Sequence, residues 1–181
     1  MTTTDDTNLI PDFVNSLDVR PGDDAFRTPA DLAAWLVERD ILAEGAQATA
    51  ADLAAAKEIR EAIRLLLLGH NEVEVDDAVP LAVLDAAARR VQLNVCFRDG
   101  TAQCEPAAPG VEGALGRILG SVADAMSTPN WSRLKACRAD DCRWIYLDTS
   151  KNHSRAWCSM SSCGNRAKVS AYRSRHTTAG S

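Results

Sequence analysis

Apolar residues recur at helical spacing in several segments of the first 127 residues, and each stretch carries start or stop signals of its own. Four helices are predicted: one that begins at Pro29 after the cap Thr28, one from Thr49 to about Leu68, one after Pro80 and one over about 111–126. The segment from residue 9 to residue 17 is also apolar, but Asp12 and Asn15 interrupt it.

Between the third and fourth predicted helices, the pattern changes to alternation with a period of two. Residues 91–97 alternate as a half-buried strand does, and Asp99-Gly100 is a strong signal for a two-residue hairpin turn. That turn pairs Val95 with Cys104 and puts Cys96 on the opposite face, which disfavours a disulfide between the two cysteines. A longer loop would change this register. Residues 9–127 are therefore predicted to form a mostly helical domain with one β-hairpin.

Residues 131–175 differ in composition, because they are dense in cysteine, arginine and tryptophan. Four of their cysteines form two pairs with four intervening residues each: Cys137, Cys142, Cys158 and Cys163. Two such pairs supply the tetrahedral thiolate set that zinc prefers, and a segment of about 45 residues is too small to fold on apolar burial alone. The alternative is four buried thiols without metal.

One structural Zn²⁺ is therefore the predicted cofactor. His153 is expected to lie in a loop and not to bind the metal, because four thiolates already complete the site. A closed four-thiolate site has no position for water, so no catalysis is assigned to the metal. The fold class is α+β: a mostly helical N-terminal domain with one β-hairpin, followed by a small zinc-stapled module that ends in a helix.

The charge of the chain is divided unequally. Residues 1–130 contain 10 Lys and Arg against 22 Asp and Glu, a balance of −12, whereas residues 131–181 contain 10 against 3, a balance of +7. The basic part is the candidate for contact with a polyanion. The sequence has no signal-peptide pattern and no apolar run of membrane-spanning length, so we expect a cytoplasmic protein without membrane contact, in which cysteines bind metal more often than they form disulfides.

The C-terminal residues match a known family. Residues 137–173, with the run Cys163-Gly164-Asn165-Arg166, resemble the CGNR zinc finger. The upstream part resembles the ABATE domain that accompanies this finger, and residues 12–16 (DFVNS) resemble its opening segment. The resemblance implies a stress-induced transcription regulator whose finger binds double-stranded DNA.

Basic residues around the second cysteine pair are the candidates for DNA contact: Arg155, Arg166, Lys168, Arg173 and Arg175. The competing interpretation is that some of them offset the negative charge of a zinc–thiolate site, and Arg155 and Arg166 lie closest to the cysteines. Trp144 and Trp157 are expected to pack around the zinc module rather than to stack on bases.

The helical domain is expected to sense a small-molecule effector or to mediate homodimerisation. Asp12 and Asn15 could meet Arg60 and Arg64 of the second helix in a pocket. The alternative is that Asn15 caps a turn and both arginines lie in solvent.

Three functions follow from these features. We prefer a cytoplasmic DNA-binding transcription regulator. The second interpretation is a zinc-stabilised interaction or adaptor protein without direct DNA binding, in which the basic module packs on an acidic partner or on its own acidic domain. An enzyme is disfavoured, because the sequence contains no nucleotide fingerprint and no nucleophile motif.

Overall fold

The computed structural model describes residues 9–98 and 100–177, with side chains through Arg173. The elements follow one another in the order α1 Leu9–Val14, β1 Leu17–Asp18, β2 Asp23–Asp24, α2 Pro29–Glu38, α3 Ala50–Gly69, α4 Ala78–Arg90, β3 Leu93–Arg98, β4 Thr101–Pro106, α5 Gly110–Met126, β5 Leu134–Ala136, β6 Ile145–Leu147 and α6 Asn165–Thr177. A 3-10 turn precedes β5 and a π-helical turn, Met160–Gly164, precedes α6. The fold class is α+β, as predicted.

The helix starts follow from local capping chemistry. Thr28 accepts a hydrogen bond from the backbone N–H of Asp31, whose carboxylate accepts from Thr28 N–H in return, and Thr49 and Asp52 form the same reciprocal pair. α4 differs from its prediction, because it begins at Ala78 and not after Pro80. Proline fits there since the N–H groups of a first helical turn have no partner within the helix.

The β3–β4 hairpin has the predicted register, with Arg98 opposite Thr101 and Val95 opposite Cys104. It lies directly on α5, where two glycines allow close contact. A Cβ on Gly120 would lie 2.7 Å from the carbonyl oxygen of Cys104, and one on Gly116 would lie 2.5 Å from Cβ of Pro106. Helix and strand can therefore approach more closely than side chains would permit.

The main core lies between α1, α2, α3 and α5 and contains an aromatic cluster. The rings of Phe13, Phe26 and Trp35 have centroids 5.5–5.8 Å apart in tilted and edge-to-face arrangements. Leu134, Ala136 and Ile145 of the β5–β6 hairpin belong to the same core. The first part of the cysteine-rich segment is thus built into the helical domain and not tethered beside it.

Two arginines of α3 are buried, so the alternative that both lie in solvent is wrong. Arg60 is 2% exposed and Arg64 is 5% exposed. Arg60 forms two hydrogen bonds to the carboxylate of Asp24, at 2.7 and 3.1 Å, and another to Ser16. Arg64 donates to the carbonyl oxygens of Val14 and Arg143 and to the carboxylate of Glu61. These partners satisfy the charged groups and fasten α1 and β2 to α3.

Candidate metal centre

The four cysteines of the C-terminal segment converge on one point: Cys137, Cys142, Cys158 and Cys163. Their sulfur atoms all lie within 4.8 Å of one another, and Cys158 Sγ is 3.6 Å from Cys142 Sγ and 3.7 Å from Cys163 Sγ. Four sulfurs held about 2.3 Å from one zinc ion in a tetrahedron lie roughly 3.8 Å apart. The observed spacing therefore fits a single zinc ion.

Short backbone structures hold each cysteine in place. Cys137 follows β5, and its N–H donates to the carbonyl oxygen of Trp144 at 2.9 Å. Cys142 ends a tight turn in which its N–H donates to Ala139 O. In the second pair, Cys158 precedes the π-helical turn and Cys163 lies within it, and Ser159 accepts a hydrogen bond from the N–H of Ser162. Each pair of thiols is thus presented by one turn of chain.

The surroundings of the sulfurs also favour a bound cation. Burial raises the pKa of the Cys142 and Cys158 thiols, whereas at Cys163 hydrogen bonds from the neighbouring thiols outweigh burial and lower the pKa to about 7. Four clustered thiolates would repel one another without a metal, whereas a coordinated zinc ion stabilises the deprotonated form. His153 is exposed at a loop tip, and the metal-binding cluster found among the described residues consists of the four cysteines alone.

Two arginines flank Cys163 from opposite parts of the chain. Nη2 of Arg20, in the loop between β1 and β2, and Nη2 of Arg166, in α6, each lie 3.4 Å from Cys163 Sγ. Asp141 links them, because its carboxylate is 3.6 Å from Arg20 Nε and 3.0 Å from Arg166 Nη2. Positive charge beside the thiolate offsets the negative charge of a four-thiolate zinc site.

Comparison with protein families agrees with this geometry. The CGNR zinc finger model matches residues 133–176. The ABATE model, whose description reads "Putative stress-induced transcription regulator", matches residues 7–129, more than half of the chain. The chain belongs to the ABATE family. Its C-terminal module is a CGNR zinc finger with one structural zinc, and the ABATE domain is the helical domain described above. Curated proteins yield no match to the chain.

The ABATE domain holds the finger through buried polar contacts. Asn71, 2% exposed, donates from its side-chain amide to the carbonyl oxygens of Ala136 and Ala156, both at 2.8 Å. The amide of Asn15 donates to Ile145 O at 3.0 Å and accepts from Ile145 N–H at 2.8 Å. Both residues satisfy backbone groups of the finger that would otherwise be buried without partners.

The predicted DNA-contact residues fall into two groups. The Arg155 guanidinium donates to the carbonyl oxygens of Trp157 and Cys158 and lies over the ring of Tyr146, and Arg166 contacts Cys163 and Asp141. Lys168 and Arg173 are exposed on α6. The side chain of Arg175 lies outside the described residues.

The four residues of the predicted pocket do not meet. Asp12 and Asn15 line a cavity between α1 and the finger, but Arg60 and Arg64 do not line it and make the buried contacts described above. Trp157 packs against the cysteine cluster, as expected, whereas Trp144 is 37% exposed and lines the cavity.

Sequence reasoning missed two residues of this region, Arg20 and Asn71. Arg20 is 143 positions from Cys163, and Asn71 is 65 to 85 positions from its acceptors. Neither residue belongs to a spaced motif, so no local pattern could have identified them.

Within residues 9–98 and 100–177, no helix combines the length and the apolarity that crossing a membrane requires.

Proposed function

We propose that this protein is a cytoplasmic DNA-binding transcription regulator, without catalytic activity, whose zinc finger presents α6 to double-stranded DNA. The exposure of α6 carries the proposal: every residue from Lys168 to Arg173 is exposed. The helix contains four Lys and Arg residues and no Asp or Glu. An α-helix fits the major groove, and a basic helix gains affinity by releasing counterions from the phosphates.

The finger contains more cations than it offers to solvent. Six Lys and Arg side chains of the finger are partly or fully buried and form hydrogen bonds or ion pairs within the chain: Arg133, Lys135, Arg138, Arg143, Arg155 and Arg166. The exposed cations among the described residues 131–173 are Lys151, Lys168 and Arg173. We therefore assign DNA contact to Lys168, Arg173 and Arg175, and assign to Arg155 and Arg166 the holding of the finger.

The other interpretation, in which the basic helix is silenced by its own acidic domain or binds an acidic protein, receives less support. Self-silencing requires Lys168 and Arg173 to be covered by the ABATE domain, and both are exposed. The ABATE domain would sense an effector or mediate dimerisation, and a homodimer would suit DNA with two half-sites.

The test is fluorescence anisotropy of a labelled 30-base-pair duplex titrated with the zinc-loaded full chain at several salt concentrations. We expect binding that weakens steeply with salt. The double variant Lys168→Gln, Arg173→Gln should bind more weakly, and its slope of log K against log salt should be smaller by roughly two.

The matched control is Arg89→Gln, Arg98→Gln, which removes two exposed cations of the ABATE domain, each paired there with a carboxylate. It should leave the affinity and the salt slope unchanged. Absence of binding at low salt with zinc loaded would contradict the proposal, and so would equal binding by the two double variants.

A further inference from the structure

A cavity of about 610 Å³ lies at the junction between the ABATE domain and the finger. α1 and the end of α5 form one side, and the β5–β6 hairpin with the segment before it forms the other. Two other cavities, of about 630 and 790 Å³, are lined by the ABATE domain alone. The junction cavity has the size of a small-molecule site, and both the ABATE domain and the finger line it.

The lining of this cavity combines apolar and aromatic walls with negative charge. The apolar and aromatic lining residues include Ile10, Trp131, Leu134, Trp144 and Leu147. Two carboxylates line it, those of Asp12 on α1 and Asp124 on α5, and no Lys, Arg or His lines it among the described residues. Arg39 stands close to one of them, with its Nη2 4.0 Å from the carboxylate of Asp12.

Two of the polar lining residues, Asn15 and Tyr146, already have protein partners. Both atoms of the Asn15 amide are bonded to Ile145, and the hydroxyl of Tyr146 donates to Arg155 O. The carboxylates of Asp12 and Asp124 stand at the rim, where both residues are exposed. A ligand in the cavity thus meets apolar and aromatic side chains and two exposed carboxylates.

We propose that this cavity binds an organic monocation, an amine whose apolar or aromatic body lies against Trp131 and Trp144 and whose ammonium group faces Asp12 and Asp124. Aromatic faces attract ammonium groups, and carboxylates do so more strongly. The carboxylates of Asp12 and Asp124 would repel an anion of the same shape. A neutral analogue has no ammonium group for the carboxylates or the aromatic faces to attract. The ligand class follows from this charge complementarity.

A bound amine would bridge the ABATE domain and the finger. The carbonyl oxygen of Trp144 accepts a hydrogen bond from the N–H of Cys137, a zinc ligand. The backbone of Ile145 forms two hydrogen bonds with the side chain of Asn15 on α1. A ligand that fills the space between them stabilises this docked arrangement by binding it in preference to a loosened one. An effect of the amine on DNA affinity rests on the proposed function, whereas amine binding itself does not.

The experiment is isothermal titration calorimetry of the zinc-loaded full chain without DNA. Three probes share one ring and differ in charge: 2-phenylethylamine, 2-phenylethanol and phenylacetate. We expect the amine to bind at least about tenfold more tightly than the alcohol or the acid. The double variant Asp12→Asn, Asp124→Asn should bind the amine about tenfold more weakly and the alcohol as before.

The control variant Glu58→Gln, Asp85→Asn removes two exposed carboxylates outside the cavity and should leave amine affinity unchanged. Thermal melts show whether each variant is folded. Equal affinity for the three probes overturns the proposal, as does undetectable amine binding or unchanged amine affinity in the Asp12, Asp124 variant. Because this titration contains no DNA and the anisotropy test contains no amine, failure of one proposal is distinct from failure of the other.

Discussion

Nη2 of Arg20 lies 3.4 Å from Sγ of Cys163, so the ABATE domain reaches the zinc site of the finger directly. Arg20 comes from the loop between β1 and β2, and Arg166 of α6 stands at the same distance from the same sulfur. Positive charge beside the zinc–thiolate site thus comes from both parts of the chain.

Substitution of Arg20 should therefore weaken zinc retention. We expect Arg20→Ala to lower zinc affinity about tenfold, because residues that contact metal ligands affect how tightly the metal is bound. Arg20→Lys should retain part of that affinity. The measurement is competition with a chromophoric zinc chelator. Arg27→Ala, which removes a nearby exposed arginine, is the control and should behave as the wild type. Equal zinc affinity in all four proteins would show that Arg20 does not support the site.

Removal of zinc should loosen only part of the finger. Leu134 and Ile145 belong to the main core, whereas α6 packs mainly on the π-helical turn that contains Cys163. We expect chelation to abolish amide-exchange protection over residues 155–177 and to spare β5, β6 and the ABATE helices. Cys96→Ser should bind one zinc ion as the wild type does, since Cys96 lies on β3 and is not one of the four clustered cysteines. Unfolding of the whole chain on chelation would contradict this division.

Asn71 should contribute strongly to stability. Asn71→Ala removes the donor for the carbonyl oxygens of Ala136 and Ala156, and buried acceptors without partners are costly. We expect a loss of about 3 kcal/mol in the free energy of unfolding, measured in urea. The control Asn94→Ala removes an exposed amide that donates to Gln92 O and should change stability by less than about 0.5 kcal/mol. Similar losses for the two variants would contradict the role of Asn71.

Acid should weaken the ion pair that fastens β2 to α3. Burial by itself would raise the pKa of Asp24, but hydrogen bonds from Arg60, from Phe26 N–H and from Lys57 outweigh it and lower that pKa to about 2. A carboxyl with a depressed pKa stabilises the fold above its unfolded pKa near 4, by about 2 kcal/mol here, and this contribution is lost as the pH falls toward 2.

The measurement that checks this is urea unfolding of the wild type and of Asp24→Asn between pH 7 and pH 2. The wild type should be more stable at pH 7, and the two proteins should converge as the pH falls below about 4. Zinc loss in acid affects both proteins alike, so the difference between them isolates Asp24. A stability difference that is constant with pH would contradict the assignment.

Features that depend on neighbouring residues were predictable from the sequence. The capping pairs at Thr28 and Thr49 lie within four residues, and the hairpin has the register that the two-residue turn signal predicted, although Asp99 itself lies outside the described residues. The cysteine spacing predicted the metal ligands because two chain turns bring the thiols together almost regardless of the remaining fold.

Features that depend on distant partners were not predictable. Arg60 and Arg64 have the polarity of surface residues, and only Asp24 and the carbonyl oxygens of other elements make their burial favourable. Which basic residues of the finger are engaged within the chain also depends on distant partners. Its charge suggested a large phosphate-binding surface, yet Arg155 and Lys135 bond to groups that the sequence does not reveal as neighbours.

Amide hydrogen exchange of the zinc-loaded chain with and without saturating duplex DNA tests the central claim, that α6 is the surface presented to DNA. We predict slower exchange over residues 165–177 and unchanged exchange over the β3–β4 hairpin at residues 93–106. Unchanged exchange over 165–177, at a DNA concentration where anisotropy shows complete binding, would contradict it, and so would protection confined to the ABATE domain.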